Sequence, residues 1–172
     1  MLIHTQRLAI RPIEKEDWPA IRRIWQDFNE SPYAGYDLPH CTEADSVKTR
    51  IAKWAEATAG REHMFFAVCL EGEVIGFYSF NIREKGYEIG YNFLAAHHGK
   101  GYAKESLSAL LVHFHSLGIR DFSAGTALAN TPSVALLKSE GFTMTGTEEV
   151  SFFKDAEGKD IVFDGGIFEL HL

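Results

Sequence analysis

The sequence lacks any apolar run longer than the seven residues from Met64 to Leu70, against the ~18 or more that a membrane-spanning helix needs. No membrane association is expected. Cysteine is scarce, with two in 172 residues, and Cys41 and Cys69 show no CxxC or other ligand spacing. That excludes a disulfide framework and suits a reducing compartment. No stretch rich in Pro, Ser or Gly, no repeat and no block of like charge marks a linker, so residues 1–172 are expected to form one domain. Positive charge is in deficit too: 17 Lys+Arg against 24 Asp+Glu leave −7 at pH 7, the wrong balance for unspecific nucleic-acid binding. Met1 to Arg7 show no basic region followed by an apolar one, and a cytoplasmic location is the expectation. What the chain does have is 45% hydrophobic and 13% aromatic residues, enough for a real core.

The apolar residues fall into short periodic segments. Arg7 to Ile13 alternates as a half-buried strand does, and Asp17 then precedes Ile21, Ile24, Trp25 and Phe28 at helical spacing. Asn29 to His40, with Pro32, Gly35 and Pro39, reads as a loop. Thr42-Glu43-Ala44-Asp45 then opens a second helix as a capping box. Met64–Leu70 and Val74–Phe80 flank Glu71-Gly72-Glu73 as a hairpin, and Tyr87–Leu94 adds a third strand. Ala103, Leu107, Leu110, Leu111, Phe114 and Leu117 form the stripe of an amphipathic helix ended by Gly118. A strand over 122–127, a short helix over 132–139 and two closing strands over 142–153 and 161–170 complete the chain. The expectation is a mixed α/β (α+β) domain with about four helices on a mostly antiparallel sheet of about seven strands, including one strand–helix–strand crossover.

The informative segment is His97-His98-Gly99-Lys100-Gly101-Tyr102-Ala103, between the strand ending near Leu94 and the long helix. Glycines let the backbone turn N–H groups inward, and the first turn of a helix adds unpaired donors and partial positive charge, so main chain alone can hold an anion such as a pyrophosphate. The same residues also suit a plain turn feeding a helix. Lys104 stands where a dinucleotide fingerprint needs Gly or Ala, and no GxxxxGK[ST] occurs, so neither NAD nor a nucleoside triphosphate is favoured. No GxSxG marks a hydrolase nucleophile. His113 and His115 differ by two on a helix and cannot share a ligand sphere, and no metal is expected.

Glu88-Ile89-Gly90-Tyr91, then His98-Gly99-Lys100-Gly101-Tyr102-Ala103 with Glu105, then Asn130-Thr131-Pro132-Ser133 and Leu137-Lys138-Ser139-Glu140-Gly141-Phe142 together resemble the general N-acetyltransferase (GNAT) superfamily. The opening Thr5-Gln6-Arg7-Leu8-Ala9-Ile10-Arg11-Pro12 is similar to its RimJ/RimL branch, whose best-known members acetylate ribosomal-protein N-termini. The likeness implies acetyl-CoA as donor and an amine as acceptor, on a GNAT-like sheet. It places the CoA phosphates at His98, Gly99, Lys100, Gly101, Tyr102 and Ala103, with Lys138 also in reach. It places the pantetheine at Asn130 and along the strand end at Phe93, Leu94 and Ala95, whose backbone would supply an N–H to the thioester oxygen. Family members usually carry Arg or Gln where His98 stands, so here the side chain's contribution to phosphate binding would depend on pH.

The resemblance also supplies the catalytic expectations. Glu88 is the candidate base, with Glu148 and Glu149 as alternatives from the C-terminal strands, and Ser133 is the hydroxyl beside the departing sulfur. Glu88 equally suits a solvated strand carboxylate, and Asn130 and Ser133 equally suit a helix N-terminus. Tyr33 and Tyr36, with Trp54 and Asp37, are candidates to line the acceptor pocket, with Glu148 also assigned to the substrate, although aromatics beside helices more often belong to the core. A non-catalytic member binding CoA or a partner on the same fold is the alternative. Monomer and homodimer are equally compatible with the sequence.

Overall fold

A computed structural model describes Met1–Leu172. Its strands and helices are β1 (Ile3–His4), β2 (Leu8–Pro12), α1 (Trp18–Asn29), α2 (Ala44–Thr58), β3 (His63–Leu70), β4 (Glu73–Ile82), β5 (Tyr87–Phe93), α3 (Tyr102–Ser116), β6 (Asp121–Ala127), α4 (Thr131–Ser139), β7 (Thr143–Lys154) and β8 (Asp160–His171). The strands form one sheet in the order β1-β2-β3-β4-β5-β6-β8-β7. Every neighbouring pair is antiparallel except β5 and β6, which run parallel with α3 as their crossover.

The eighth strand beyond the seven expected is β1, two residues that pair Ile3 with Ile10 and His4 with Ala9. It is too short for any alternation to show. Two helix starts also differ from expectation. Glu43, not Thr42, caps α2, accepting bonds from the N–H groups of Asp45 and Ser46 at 3.0 and 2.7 Å. Asp17 directs its carboxylate away from α1: it takes a bidentate bond from Arg11, both contacts 2.7 Å, and accepts the Glu14 N–H at 2.8 Å. The pair fastens the end of β2 to the turn before α1.

Both faces of the sheet are covered, which accounts for the unbroken apolar run of β3. Phe66 and Val68 point to one face with Tyr78 and Phe80, packed under Leu107, Leu110, Leu111 and Phe114 of α3 and Leu137 of α4. Phe65 and Ala67 point to the other with Phe77, packed under Ile21, Ile24 and Trp25 of α1 and Val47 and Ile51 of α2. Consecutive strand residues serve opposite cores, so no polar position interrupts the run.

The functional geometry comes from where the sheet opens. β5 and β6 pair only at Tyr87 with Phe122 and Glu88 with Ser123. Beyond Glu88 they diverge, while β5 stays bonded to β4 up to Gly76 opposite Phe93. Leu94 N–H donates to Ile75 O at 3.0 Å, so the even-numbered residues of β5 turn their backbone groups to β4. The odd-numbered Tyr91 and Phe93 therefore turn theirs to the opened edge.

The end of β5 is held by a close approach. The Phe93 ring lies over Gly76, and a Cβ there would fall within the ring. Gly76→Ala is expected to displace Phe93 and cost about 1–3 kcal/mol of stability by overpacking, read in denaturant unfolding, and to weaken ligand binding at the opened edge in the same variant.

Candidate active site

The parted strands leave a cavity of about 460 Å³, within the range of roughly 300–1,000 Å³ typical of small-molecule sites. Three walls meet there: Tyr91, Asn92 and Phe93 from β5, the glycine loop before α3, and the start of α4 with Asn130 and Ser133. Phe28 and Tyr33, from α1 and the loop after it, close the fourth side.

The glycine loop is an amide cradle. The N–H groups from Gly99 through Lys104 find no acceptor in the chain, whereas the next amide, Glu105, already bonds Gly101 O at 3.0 Å. Six consecutive donors thus sit at the positive end of α3, an arrangement suited to a pyrophosphate. Gly101 has φ +80°, a left-handed conformation that strains any side chain, and it is the residue from which α3 departs.

The loop is braced from the N-terminus of the chain. Glu105, in the first turn of α3, accepts Thr5 Oγ1–H at 2.6 Å, Arg7 N–H at 2.9 Å and Arg7 Nε–H at 2.7 Å. Arg7 Nη1 in turn donates to Lys100 O at 2.9 Å, and the guanidinium lies over the Tyr102 ring, 4.5 Å from its centroid. Burial pushes the Glu105 carboxyl up, but the bonds from Thr5 and Arg7 outweigh it and hold the group below its ordinary value. On the other side of the loop, Ala95 N–H donates to Asp27 Oδ2 of α1 at 2.6 Å.

At the far end of the cavity, Tyr91 Oη and Ser133 Oγ lie 2.6 Å apart. Burial raises the Tyr91 phenol to about 12, opposed by the bond to Ser133. Asn130 caps α4, its Oδ1 3.4 Å from Ser133 N–H, and its Nδ2 has no partner. Capping and facing the cavity coexist in one side chain.

Of the residues expected at the cofactor, Phe93, His98, Gly99, Gly101, Tyr102 and Ala103 line the cavity, as do Asn130 and Ser133. Leu94 and Ala95 spend their amides on Ile75 O and Asp27, which leaves Phe93 as the one amide of that trio aimed at the opened edge. The His98 imidazole turns inward, Nε2 donating to Phe93 O at 2.8 Å, so it secures the strand end rather than reaching outward for a phosphate. The Lys100 and Lys138 side chains are exposed and outside the cavity wall.

Of the other expectations, Tyr33 lines the cavity, but Tyr36 packs edge-on against Phe163 of β8, centroids 5.2 Å apart. Trp54 belongs to the core, stacked on Phe65 at 4.2 Å. Glu148 sits on β7 opposite Gly165, away from the wall. Glu88 is ion-paired with Arg83 and likewise outside it. Sequence reasoning missed Tyr91, Asn92, Phe28 and His97 as wall residues, and the Arg7–Glu105 brace. Tyr91 was within reach, since the period of two puts it on the same face as Phe93. The brace links residues 98 positions apart, which no local pattern signals.

Two consequences are measurable. CoA should raise the melting temperature of the protein, and Gly101→Val should abolish most of that rise while lowering stability without ligand by about 1–3 kcal/mol of backbone strain, both read by thermal shift. A carboxyl depressed in the folded state stabilises above its unfolded pKa and loses that contribution as pH falls through the folded value. The stability advantage of the wild type over Glu105→Gln should therefore be full at pH 7 and shrink below its ordinary pKa of 4.5, followed by denaturant midpoints across pH.

Residues 7–143 match the model of the acetyltransferase (GNAT) domain. The N-acetyltransferase p20 of Bacillus licheniformis is 31% identical over 150 residues, covering 84% of this chain and 83% of that protein. The ribosomal-protein-serine acetyltransferase of Escherichia coli is 33% identical over 96 residues, 53% of this chain and 54% of that protein. In structure, the chain is similar to RimL, the ribosomal L7/L12 α-N-protein acetyltransferase, in complex with coenzyme A: TM-score 0.84 and 21% identity, covering 100% of this chain and 98% of that one. With an amide cradle suited to a pyrophosphate beside an opened strand edge, the chain belongs to the GNAT acetyltransferase family as an acetyl-CoA-dependent N-acetyltransferase.

Proposed function

We propose that the acceptor is an α-amine, such as a protein N-terminus, attacking the thioester directly. The observation that carries this is the make-up of the cavity wall, which includes no Asp or Glu. An amine attacks only when unprotonated. At pH 7 an alkylamine of pKa ~10.4 loses roughly 4.6 kcal/mol to protonation and an α-amine of pKa ~8 roughly 1.4 kcal/mol. A wall without a carboxylate favours the amine that needs least help. The relatives agree in kind, since one is named a ribosomal-protein-serine acetyltransferase and another an α-N-protein acetyltransferase.

In this reading the pyrophosphate lies on the amides of Gly99 to Lys104 and the pantetheine runs along the free edge of β5 past Tyr91 and Phe93. Asn130 Nδ2 bonds the pantetheine from α4. The Phe93 N–H faces the thioester oxygen as negative charge develops, and the Ser133 hydroxyl faces the sulfur. Nitrogen forms its bond to the acetyl carbon, the C–S bond breaks with its electron pair on sulfur, the amine loses its proton to solvent and the thiolate gains one. Glu88 takes no proton in this reading, being paired with Arg83 and outside the wall. It shares a face of β5 with Asn92 but lies four residues away, about 13 Å along the strand.

Competing peptides test the assignment. A peptide with a free α-amine and no lysine should exceed one with a blocked N-terminus and a single lysine by roughly two hundredfold in kcat/KM, the ratio of their neutral fractions. Glu88→Gln should leave that ratio unchanged. Equal rates on the two peptides would overturn the α-amine assignment, and a selective loss on the lysine peptide in Glu88→Gln would restore Glu88 as the base.

A further inference from the structure

Tyr91 and Ser133 belong to different elements, 42 positions apart, yet their hydroxyls meet at 2.6 Å on the cavity wall. Neither oxygen has another side-chain or backbone partner. Two hydroxyls carry two protons, and their single mutual bond uses one. Either oxygen can donate in this contact, and the phenol, the stronger acid of the two, is favoured as donor with Ser133 Oγ accepting. The Ser133 proton is then the free one. Its rotation is also restricted, because one lone pair of Oγ is occupied from the Tyr91 side and the remaining directions open to the cavity. A hydroxyl that accepts a bond becomes a better donor of its own.

We propose that Tyr91 is a positioning residue for acetyl transfer: by donating to Ser133 Oγ it aims and polarises the Ser133 hydroxyl as a hydrogen-bond donor to the sulfur that leaves. The proposal rests on the assignment of Ser133 to the sulfur side. Proton balance is unaffected, since Tyr91 keeps its proton throughout and the thiolate receives its own from solvent. Burial supports the arrangement, keeping the phenol in its protonated, donating form over the whole working range of pH. The placement follows from the fold: β5 presents Tyr91 on the face toward α4, and the cap of Asn130 sets the first turn of α4 so that Ser133 meets it. The ring is fixed further by Tyr78, 5.6 Å away, whose own hydroxyl donates to Ala103 O at 2.6 Å.

The test is a kinetic cycle with Tyr91→Phe, Ser133→Ala and the double variant, following thiol release from acetyl-CoA with whichever amine the wild type turns over fastest. Tyr91→Phe should lower kcat roughly tenfold, about the value of one hydrogen bond, with KM for acetyl-CoA changed less than about twofold. Ser133→Ala should lower it on the order of 10- to 100-fold, and the double variant should be no slower than Ser133→Ala alone, because Tyr91 acts through Ser133. Multiplicative losses in the double variant, or an unchanged kcat in Tyr91→Phe, would overturn the proposal while leaving the Ser133 assignment intact. A fully active Ser133→Ala would overturn both. Should Tyr91→Phe fail to fold, a fluorinated tyrosine at position 91 keeps the ring and the bond but is a stronger donor, and is expected to hold or raise kcat while changing nothing in the Ser133→Ala background. A lowered kcat, or the same change in the Ser133→Ala background, would overturn the role.

Discussion

The site depends on β5 leaving β6 after two paired residues. A parallel pair bonded along its length would satisfy both edges and leave nothing to offer a ligand, whereas here β5 keeps one edge on β4 and turns the other, at Tyr91 and Phe93, toward open space. A row of backbone donors and acceptors without partners is normally a liability. It is tolerable here because a chain bearing amides of its own, as pantetheine does, can take the place of the missing strand. The closure of the sheet by α3 and the meeting of β6 with β8 then hold the two halves apart without help from the gap itself.

The chain carries a net −7, yet its cofactor is a polyanion. Amides resolve the difference. Six N–H groups at the start of α3 provide a local positive end that does not depend on the overall charge, and the Arg7 guanidinium, which would be the obvious phosphate ligand, is instead held by Glu105 and Lys100 O behind the loop. His98 is likewise turned to Phe93 O. Side chains in this region shape the main chain and leave its amides free. In the proposed reading, His at position 98, bonded to Phe93 O, leaves the amides of the loop unchanged.

Much of this was legible in the sequence, for identifiable reasons. The alternation of β2, the hairpin at Glu71-Gly72, the stripe of α3 and the glycine loop are all local, and each is decided by a few adjacent residues. The order of motifs then fixed the family, and the amide cradle with Asn130 and Ser133 followed from it. What escaped were contacts closed by the fold. Asp17 has the look of a helix cap until Arg11 takes its carboxylate, and Glu43 took the capping role expected of its neighbour. Tyr36 and Trp54 have the aromatic character of pocket residues but are drawn into contacts with Phe163 and Phe65. Glu88 has the position of a base, and only the structure shows Arg83 beside it. In each case a residue type suited to two environments was assigned by a partner distant in sequence or unmarked in it.

The period of two along β5 also arranges the two substrates. Tyr91 and Phe93 lie on the α3/α4 face with Ser133, which the proposed reading gives to the sulfur end of the cofactor, while Asn92 lies on the opposite face toward α1, with Phe28 and Tyr33 at that side of the cavity. In a continuous sheet these faces could not communicate. The parting of β5 and β6 is a passage between them, and in the proposed reading cofactor and amine approach from opposite sides and meet at the strand end. The backbone N–H of Phe93 faces the gap because the ladder to β4 obliges odd-numbered residues to do so. The same register that builds the sheet thus selects which amide is free at the opened edge, the one the proposed reading gives to the thioester, and Gly76, by admitting the Phe93 ring over its surface, keeps that residue in place.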